Sequence, residues 1–138
     1  MQTETILVVA PNNDGRKFVK LLQHHHLPFA VLTNSTAEEK HFEKQGVEQI
    51  LRIDTSMTEK WVIPKMTVGC IFIFESSLNL TCRYLQICRS WTEREIHVIT
   101  RQLMHPRGVY QRMGADHVIY TKTGEVGFIL NGLRDGCR

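Results

Sequence analysis

The stretch TILVVAPNNDGRKFVKLL, from Thr5 to Leu22, decides the fold. Its first part, Thr5 to Ala10, is an unbroken apolar run rich in β-branched residues, which is how a strand covered on both faces reads. Its last part sets Phe18, Val19, Leu21 and Leu22 at helical spacing among charged neighbours, the pattern of an amphipathic helix. Between them lies a short turn, Pro11-Asn12-Asn13-Asp14, closed by Gly15. A buried strand that turns directly into a helix is the opening of a βαβ unit, since parallel strands need a crossover between them.

The same alternation continues along the chain. Phe29 to Thr33, Gln49 to Ile53, Gly69 to Phe74, Ile96 to Thr100 and His117 to Tyr120 are further short apolar runs, which makes six candidate strands. Helical spacing recurs at Leu80, Tyr84, Ile87, Cys88 and Trp91, at Val109, Tyr110 and Met113, and at Val126, Ile129, Leu130 and Leu133. Weaker helices are expected over Thr36 to Gln45 and Thr58 to Val62. Pro28, Pro64 and Pro106 fall in connections, and Gly46 and Gly114 stand where helices should stop. The expectation is α/β: a doubly wound, Rossmann-like parallel sheet of about six strands, with helices on both faces and strand order 3-2-1-4-5-6.

Composition narrows the class without naming a partner. The 138 residues are 42% hydrophobic and 22% charged, so a single domain over 1–138 with a real core is expected, and disorder, collagen-like repeats and coiled-coil rods are excluded. Seventeen Lys and Arg against fourteen Asp and Glu leave +3, too small and too scattered to argue for nucleic acid. The longest apolar run, Val68 to Phe74, is far short of a membrane span, and Met1-Gln2-Thr3-Glu4 is not a signal peptide. A cytoplasmic protein without membrane insertion is expected, with Cys70, Cys82, Cys88 and Cys137 reduced and mostly buried.

In this fold a ligand belongs at the carboxyl ends of the strands, where the strand order reverses. A dinucleotide fingerprint would put glycine at three positions of the first turn, and here only Gly15 remains. Asn12 can take positive φ, so the turn can still form, but its side chain occupies space a pyrophosphate would use. Asp14 favours the helix N-terminus and repels a phosphate bound there. The second strand ends in Thr33 and Asn34 rather than in the carboxylate that would hold a ribose diol. Asp54, after the third strand, either caps a following helix through Thr55 or Thr58 or contacts an adenine amino group.

The chain from about Thr5 to about Leu133 resembles the nucleotide-binding lobe of the RCK family, the regulators of potassium conductance found on channels and transporters and as separate cytosolic subunits. ILVVAPNNDGRKFVKLL, RIDTSMTEKW, IFIFESSLNLTCRYLQICRSW and HVITRQLMHPRGVYQRMGADHVIY carry the resemblance. It implies a non-catalytic regulatory module that binds NAD(H), NADP(H) or an adenine nucleotide at the switch point, pairs as a homodimer, and controls a membrane channel or transporter subunit. Carried over by position, Ala10, Asn12, Gly15 and the following Arg16 are the phosphate loop, Thr33 with Asn34 the ribose position, and Asp54 with Thr55 the adenine position. Glu75, Ser76 and Asn79 form the inner edge of the pocket, with Arg101 available for a phosphate or ribose. Since no ion-conducting segment or second lobe accompanies it in this sequence, the lobe is expected either to stand alone or to belong to a longer chain.

Three rival readings are weaker. A degenerate lobe could serve as a dimerisation or docking scaffold without nucleotide, because two motif glycines and the ribose carboxylate are missing. A receiver-like signalling domain is suggested by Asp54 and by GADHVIYTKTGEVGFILNGL, but it needs an acidic pair after the first strand, where Pro11 and Asn12 stand, and five strands rather than six. A small NAD(P)-dependent reductase needs a general acid such as a Tyr and Lys pair on one helix, and Tyr84 and Tyr110 are followed at i+4 by Cys88 and Gly114. No catalytic residue and no metal ligand are assigned, since His24, His25 and His26 are successive positions that point in different directions. The altered loop leads to one further expectation: Asp14, with Asn12, fills the anion position at the first helix, so that the fold is kept while the pocket is empty or admits a nucleoside rather than a dinucleotide.

Overall fold

The structure, a computed structural model, describes residues 4–54, 64, 66–102, 107–123 and 125–130. Six strands form one sheet: β1 (Thr5–Val9), β2 (Phe29–Thr33), β3 (Ile50–Arg52), β4 (Val68–Phe74), β5 (Ile96–Thr100) and β6 (His117–Tyr120). Every neighbouring pair is parallel, and the order is β3-β2-β1-β4-β5-β6, as the sequence implies. The helices are α1 (Asn13–His24), α2 (Thr36–Gln45), α3 (Leu78–Arg89) and α4 (Arg107–Arg112), followed by a helical stretch at residues 127–130. The helix expected at Thr58 to Val62 lies outside the described residues. Among the described residues, no helix is long and apolar enough to cross a membrane.

Strand parity divides the core in two, because successive side chains point to opposite faces. Leu7, Val9, Ile71, Ile73, Ile96 and Val98 face Tyr84, Leu85 and Cys88 of α3 and Tyr110 of α4. Val8, Phe72, Phe74 and Ile99 face Phe18, Val19 and Leu22 of α1, Phe42 of α2, and Ile129 and Leu130. All seven residues of β4 are buried, which explains why its sequence is continuous rather than alternating. Cys82 and Cys88 are free thiols, while buried Cys70 is disulfide-bonded. That corrects the expectation of four reduced cysteines, because pairing follows tertiary proximity and not spacing along the chain.

The helix ends follow local chemistry. Ser35 and Ser77 cap α2 and α3 by accepting from the backbone N–H of Glu38 and Leu80. α2 stops at Gly46, whose φ of 92° is left-handed. Gly15 is needed for a different reason: a Cβ there would sit 2.7 Å from both Cα and Cβ of Ala10, so only glycine lets α1 approach the end of β1.

The Gly114-Ala115-Asp116 element locks the far side of the sheet onto α3. Arg89 donates to the carbonyls of Gly114, Thr92 and Arg94 at 2.8–3.0 Å and to Asp116 Oδ2 at 3.0 Å. Asp116 Oδ2 also accepts from the Ile96 N–H at 2.8 Å, which holds the start of β5. Gly114 has φ +121°, and a side chain there would strike Arg89. Partial burial raises the Asp116 carboxyl, but the Ile96 N–H and then the Arg89 guanidinium outweigh it, leaving its pKa below the ordinary value.

Three predictions follow from this packing. Gly15→Ala should destabilise the protein by about 1–3 kcal/mol in chemical denaturation through overpacking at Ala10. Gly108→Ala, where a Cβ meets nothing within 4 Å, should be neutral or stabilising by up to about 1 kcal/mol. Because the Asp116 pKa is depressed on folding, its contribution is complete above about pH 4 and is lost as pH falls through the folded value. Asp116→Asn should therefore cost about 1 kcal/mol at neutral pH and flatten the acid limb of the stability profile.

Candidate functional site

The strand order reverses between β1 and β4, so the connections leaving these strands diverge and open a crevice at their carboxyl ends. Register brings the strand ends level: Val9 pairs with Leu32 and with Ile73, Thr33 with Arg52, and Phe74 with Ile99. Ala10, Thr33, Glu75 and Thr100 thus stand along one rim. A cavity of about 370 Å³ opens there, lined by Asn12, Asp14, Glu75, Ser76, Thr100 and Arg101 among others. Larger clefts, of about 870 and 500 Å³, lie around Trp91 and around Gln23 at the opposite end of the sheet. The smaller cavity has the stronger claim, because helix N-termini and diverging loops converge only at the carboxyl end.

Asn12 organises this crevice. Its backbone is extended, with φ −129°, which corrects the expectation that a left-handed asparagine replaces the missing glycine. The side chain does the work of the turn: Oδ1 accepts from the Gly15 N–H at 2.9 Å and Nδ2 donates to the Glu75 carbonyl at 3.0 Å. One amide caps α1 and ties the end of β1 to the end of β4. An N–H that a glycine loop would leave open to a phosphate is satisfied within the chain.

Asp14 sits in the first turn of α1, buried, and meets Arg101 from the end of β5. Arg101 Nε donates to Oδ2 at 2.8 Å and Nη2 to Oδ1 at 3.2 Å, a two-pronged pair, and Nη2 also reaches the Thr123 carbonyl at 3.2 Å. A carboxylate therefore lies at the helix N-terminus with a guanidinium against it, the arrangement that a bound phosphate would make with the same groups.

Glu75 is fixed from three directions. Its N–H donates to the Ile99 carbonyl at 2.9 Å, Thr100 Oγ1 donates to Oε1 at 2.7 Å, and the Tyr110 hydroxyl donates to Oε2. Burial and the facing Glu75 carboxylate push the Tyr110 phenol well above its usual range, so it remains a donor at neutral pH. Ser76 and Asn79 lie at the exposed mouth beside the N-terminus of α3.

The second-strand end carries an acid that the sequence reading missed. Thr33 is buried and its Oγ1 accepts from the Ser35 N–H at 3.0 Å. Glu38, from the first turn of α2, hydrogen-bonds Thr33 and lies within the field of Arg16. Burial raises the Glu38 pKa, and Arg16 and Thr33 only partly offset it. Tyr84 reaches the same corner, its hydroxyl against the Asn34 backbone. The Arg16 Nε is buried, with no hydrogen-bond partner among the described residues. Asp54 is exposed just beyond β3, and Thr55 lies outside the described residues. The capping sequence Ser35-Thr36-Ala37-Glu38 was the signal that could have found Glu38.

Two groups result: Asn12, Asp14, Glu75, Thr100 and Arg101 at the α1 N-terminus, and Arg16, Thr33, Asn34, Glu38 and Tyr84 at the β2 end. In the first group Asn12, Asp14 and Arg101 are bonded within the chain, and a pyrophosphate does not fit there while the Asp14 carboxylate holds Arg101. The second combines a carboxylate, a hydroxyl and a guanidinium, a donor set suited to a ribose or nucleoside.

No protein-family model matches the chain, and no curated protein matches it. Solved structures do. The chain is similar to the TrkA-N domain of the inner membrane protein ybaL from Escherichia coli, with TM-score 0.67 and 13% identity over 96% of this chain and 98% of that one. It is equally similar to the NAD(P)-binding domain of an exopolyphosphatase-related protein from Archaeoglobus fulgidus, with TM-score 0.67, 14% identity, and 96% and 98% coverage. Against the GsuK channel bound to NAD the TM-score is 0.65 at 16% identity, covering 86% of this chain but 21% of the channel chain. At these identities the likeness is one of architecture, and the chain has the fold of the TrkA-N and RCK domains.

Proposed function

We propose that this chain is a non-catalytic regulatory domain that takes an adenine nucleotide or NAD(P)(H) at the strand crossover, with Asp14 standing in for the ligand phosphate until ligand displaces it. The observation that carries the reading is the buried Asp14 carboxylate gripped by Arg101 at the N-terminus of α1. A guanidinium facing a helix N-terminus is a phosphate-binding pair, and here an internal anion occupies it. The nucleoside part of the ligand enters beside Thr33, Asn34 and Glu38, with Asp54 at the adenine end. Likeness to a channel described as bound to NAD and to an NAD(P)-binding domain supports the ligand class. The role that goes with this reading is a cytoplasmic homodimer that controls potassium or other cation transport through a membrane partner, and likeness to a domain of the GsuK channel supports the channel partner.

A nucleotide-free docking scaffold is the second reading, favoured by the Asn12 amide that closes the loop against Gly15 and Glu75. Ligand stabilisation separates the two. Bound at 100 times its Kd, a nucleotide adds about 2.7 kcal/mol to stability. The wild-type protein should show a modest rise in Tm with millimolar NAD⁺, NADH, NADPH, ATP, ADP or AMP. Asp14→Gly and Asp14→Ala should each tighten binding of the responding nucleotide at least about tenfold, or ~1.4 kcal/mol. Adding Arg101→Gln to either variant should abolish that gain. If neither wild type nor either Asp14 variant responds to any nucleotide, the scaffold reading replaces this one.

A further inference from the structure

At the other end of β5, away from the crevice, Glu95, His97 and His117 converge on the face of the sheet that also carries Phe72. Glu95 and His97 are two residues apart on an extended segment, so they share a face, and His97 pairs in register with His117 on the edge strand β6. His117 Nε2 lies 3.3 Å and His97 Nε2 3.6 Å from the same Glu95 oxygen, and one ligand atom from each residue lies within 4.8 Å of the others. The His97 ring is held flat, stacked 4.7 Å from Phe72 on one side and 5.0 Å from His117 on the other.

We propose that Glu95, His97 and His117 are the protein ligands of a divalent transition-metal ion of the zinc class. With metal–nitrogen and metal–oxygen bonds of roughly 2.0–2.2 Å, neighbouring ligands of a tetrahedral ion stand about 3.3–3.6 Å apart, the range of the 3.3 Å and 3.6 Å that His117 and His97 make with Glu95. Two imidazoles and a carboxylate suit zinc, nickel, copper or cobalt, whereas magnesium and calcium prefer oxygen alone. The exposed His117 and Glu95 side chains give an ion a path in, and binding requires the exposed His117 ring to turn out of the stack so that its Nε2 lone pair meets the ion, while His97, held against Phe72, supplies the anchor. The Asp116 carboxylate beside both rings adds negative potential without being a ligand. Three protein ligands leave the fourth position open to water or to a group from another molecule. As a bare ion pair the cluster contributes little, since Glu95 and His117 are each about half exposed. The site stands at the amino end of β5, about 10 Å from Thr100 along the strand, so it is separate from the crossover crevice.

Titration of the whole chain with Zn²⁺ by calorimetry, and with Co²⁺ followed by its visible absorption, tests this. One equivalent should bind, with a rise in Tm and, for Co²⁺, the intense bands of tetrahedral coordination. Glu95→Gln and His117→Gln alter exposed side chains, and each should weaken binding at least about tenfold while the metal-free Tm stays close to wild type. Replacing His24, His25 and His26 together by Gln should leave the one-equivalent binding intact. The proposal is overturned if wild type binds no stoichiometric metal, if binding survives the double Glu95→Gln, His117→Gln variant, or if it disappears with the His24–His26 replacement.

Discussion

Everything at the carboxyl end of the sheet depends on how the N–H groups of the first turn of α1 are satisfied. A parallel sheet that reverses its winding between β1 and β4 delivers a helix N-terminus into a crevice, and those N–H groups need acceptors wherever they are shielded from water. Asn12 meets this constraint at Gly15 with its side-chain amide. It caps Gly15 and crosses to the Glu75 carbonyl, joining the two strands whose connections diverge. Gly15 remains glycine because α1 must lie against Ala10 for that amide to reach. The turn is consequently sound without a ligand, whereas a glycine-rich loop leaves its donors for the phosphate.

The Asp14–Arg101 pair follows from the same constraint. A carboxylate buried at a helix N-terminus gains from the helix field but still needs a counter-charge, because desolvating an unpaired anion is costly. Arg101 supplies it from β5 and extends to the Thr123 carbonyl, so the pair also fastens the segment after β6. A ligand phosphate that replaced Asp14 would take over a guanidinium already aimed, and release of the carboxylate would be felt at Thr123. The crevice is thereby coupled to the outer edge of the sheet through one side chain.

Much of the fold was legible because its determinants are local. Continuous β-branched runs mark β1 and β4, the helical stripes place α1 and α3, and the six alternations suffice for the observed order. The site was only half legible. Asn12, Glu75, Ser76 and Arg101 do meet at the crossover, but the Asp14–Arg101 pairing joins residues 87 positions apart, and no spacing rule reveals it. The acid near Thr33 was missed for a similar reason: it comes from α2, as Glu38, and not from the end of β2. The extended Asn12 backbone also departs from expectation, because side-chain capping removes the need for a left-handed residue. The Glu95, His97 and His117 group was invisible for want of register, since a one-residue slip of β6 would turn His117 to the other face.

The edge strand explains why such contacts accumulate where they do. Among the described residues β6, four residues long, has a neighbour on one side only, so its ladder alone is a weak hold. At its start Asp116 grips the Ile96 N–H and Arg89, and one residue later His117 stacks on His97. Beyond its end Arg101 holds the Thr123 carbonyl. These ties run to β5, to Arg101 just after it and to Arg89 at the end of α3, so β6 is held at either end. An ion shared by His97 and His117 would tighten the amino end of that strand, while exchange of Asp14 for a ligand phosphate would act on the carboxyl end.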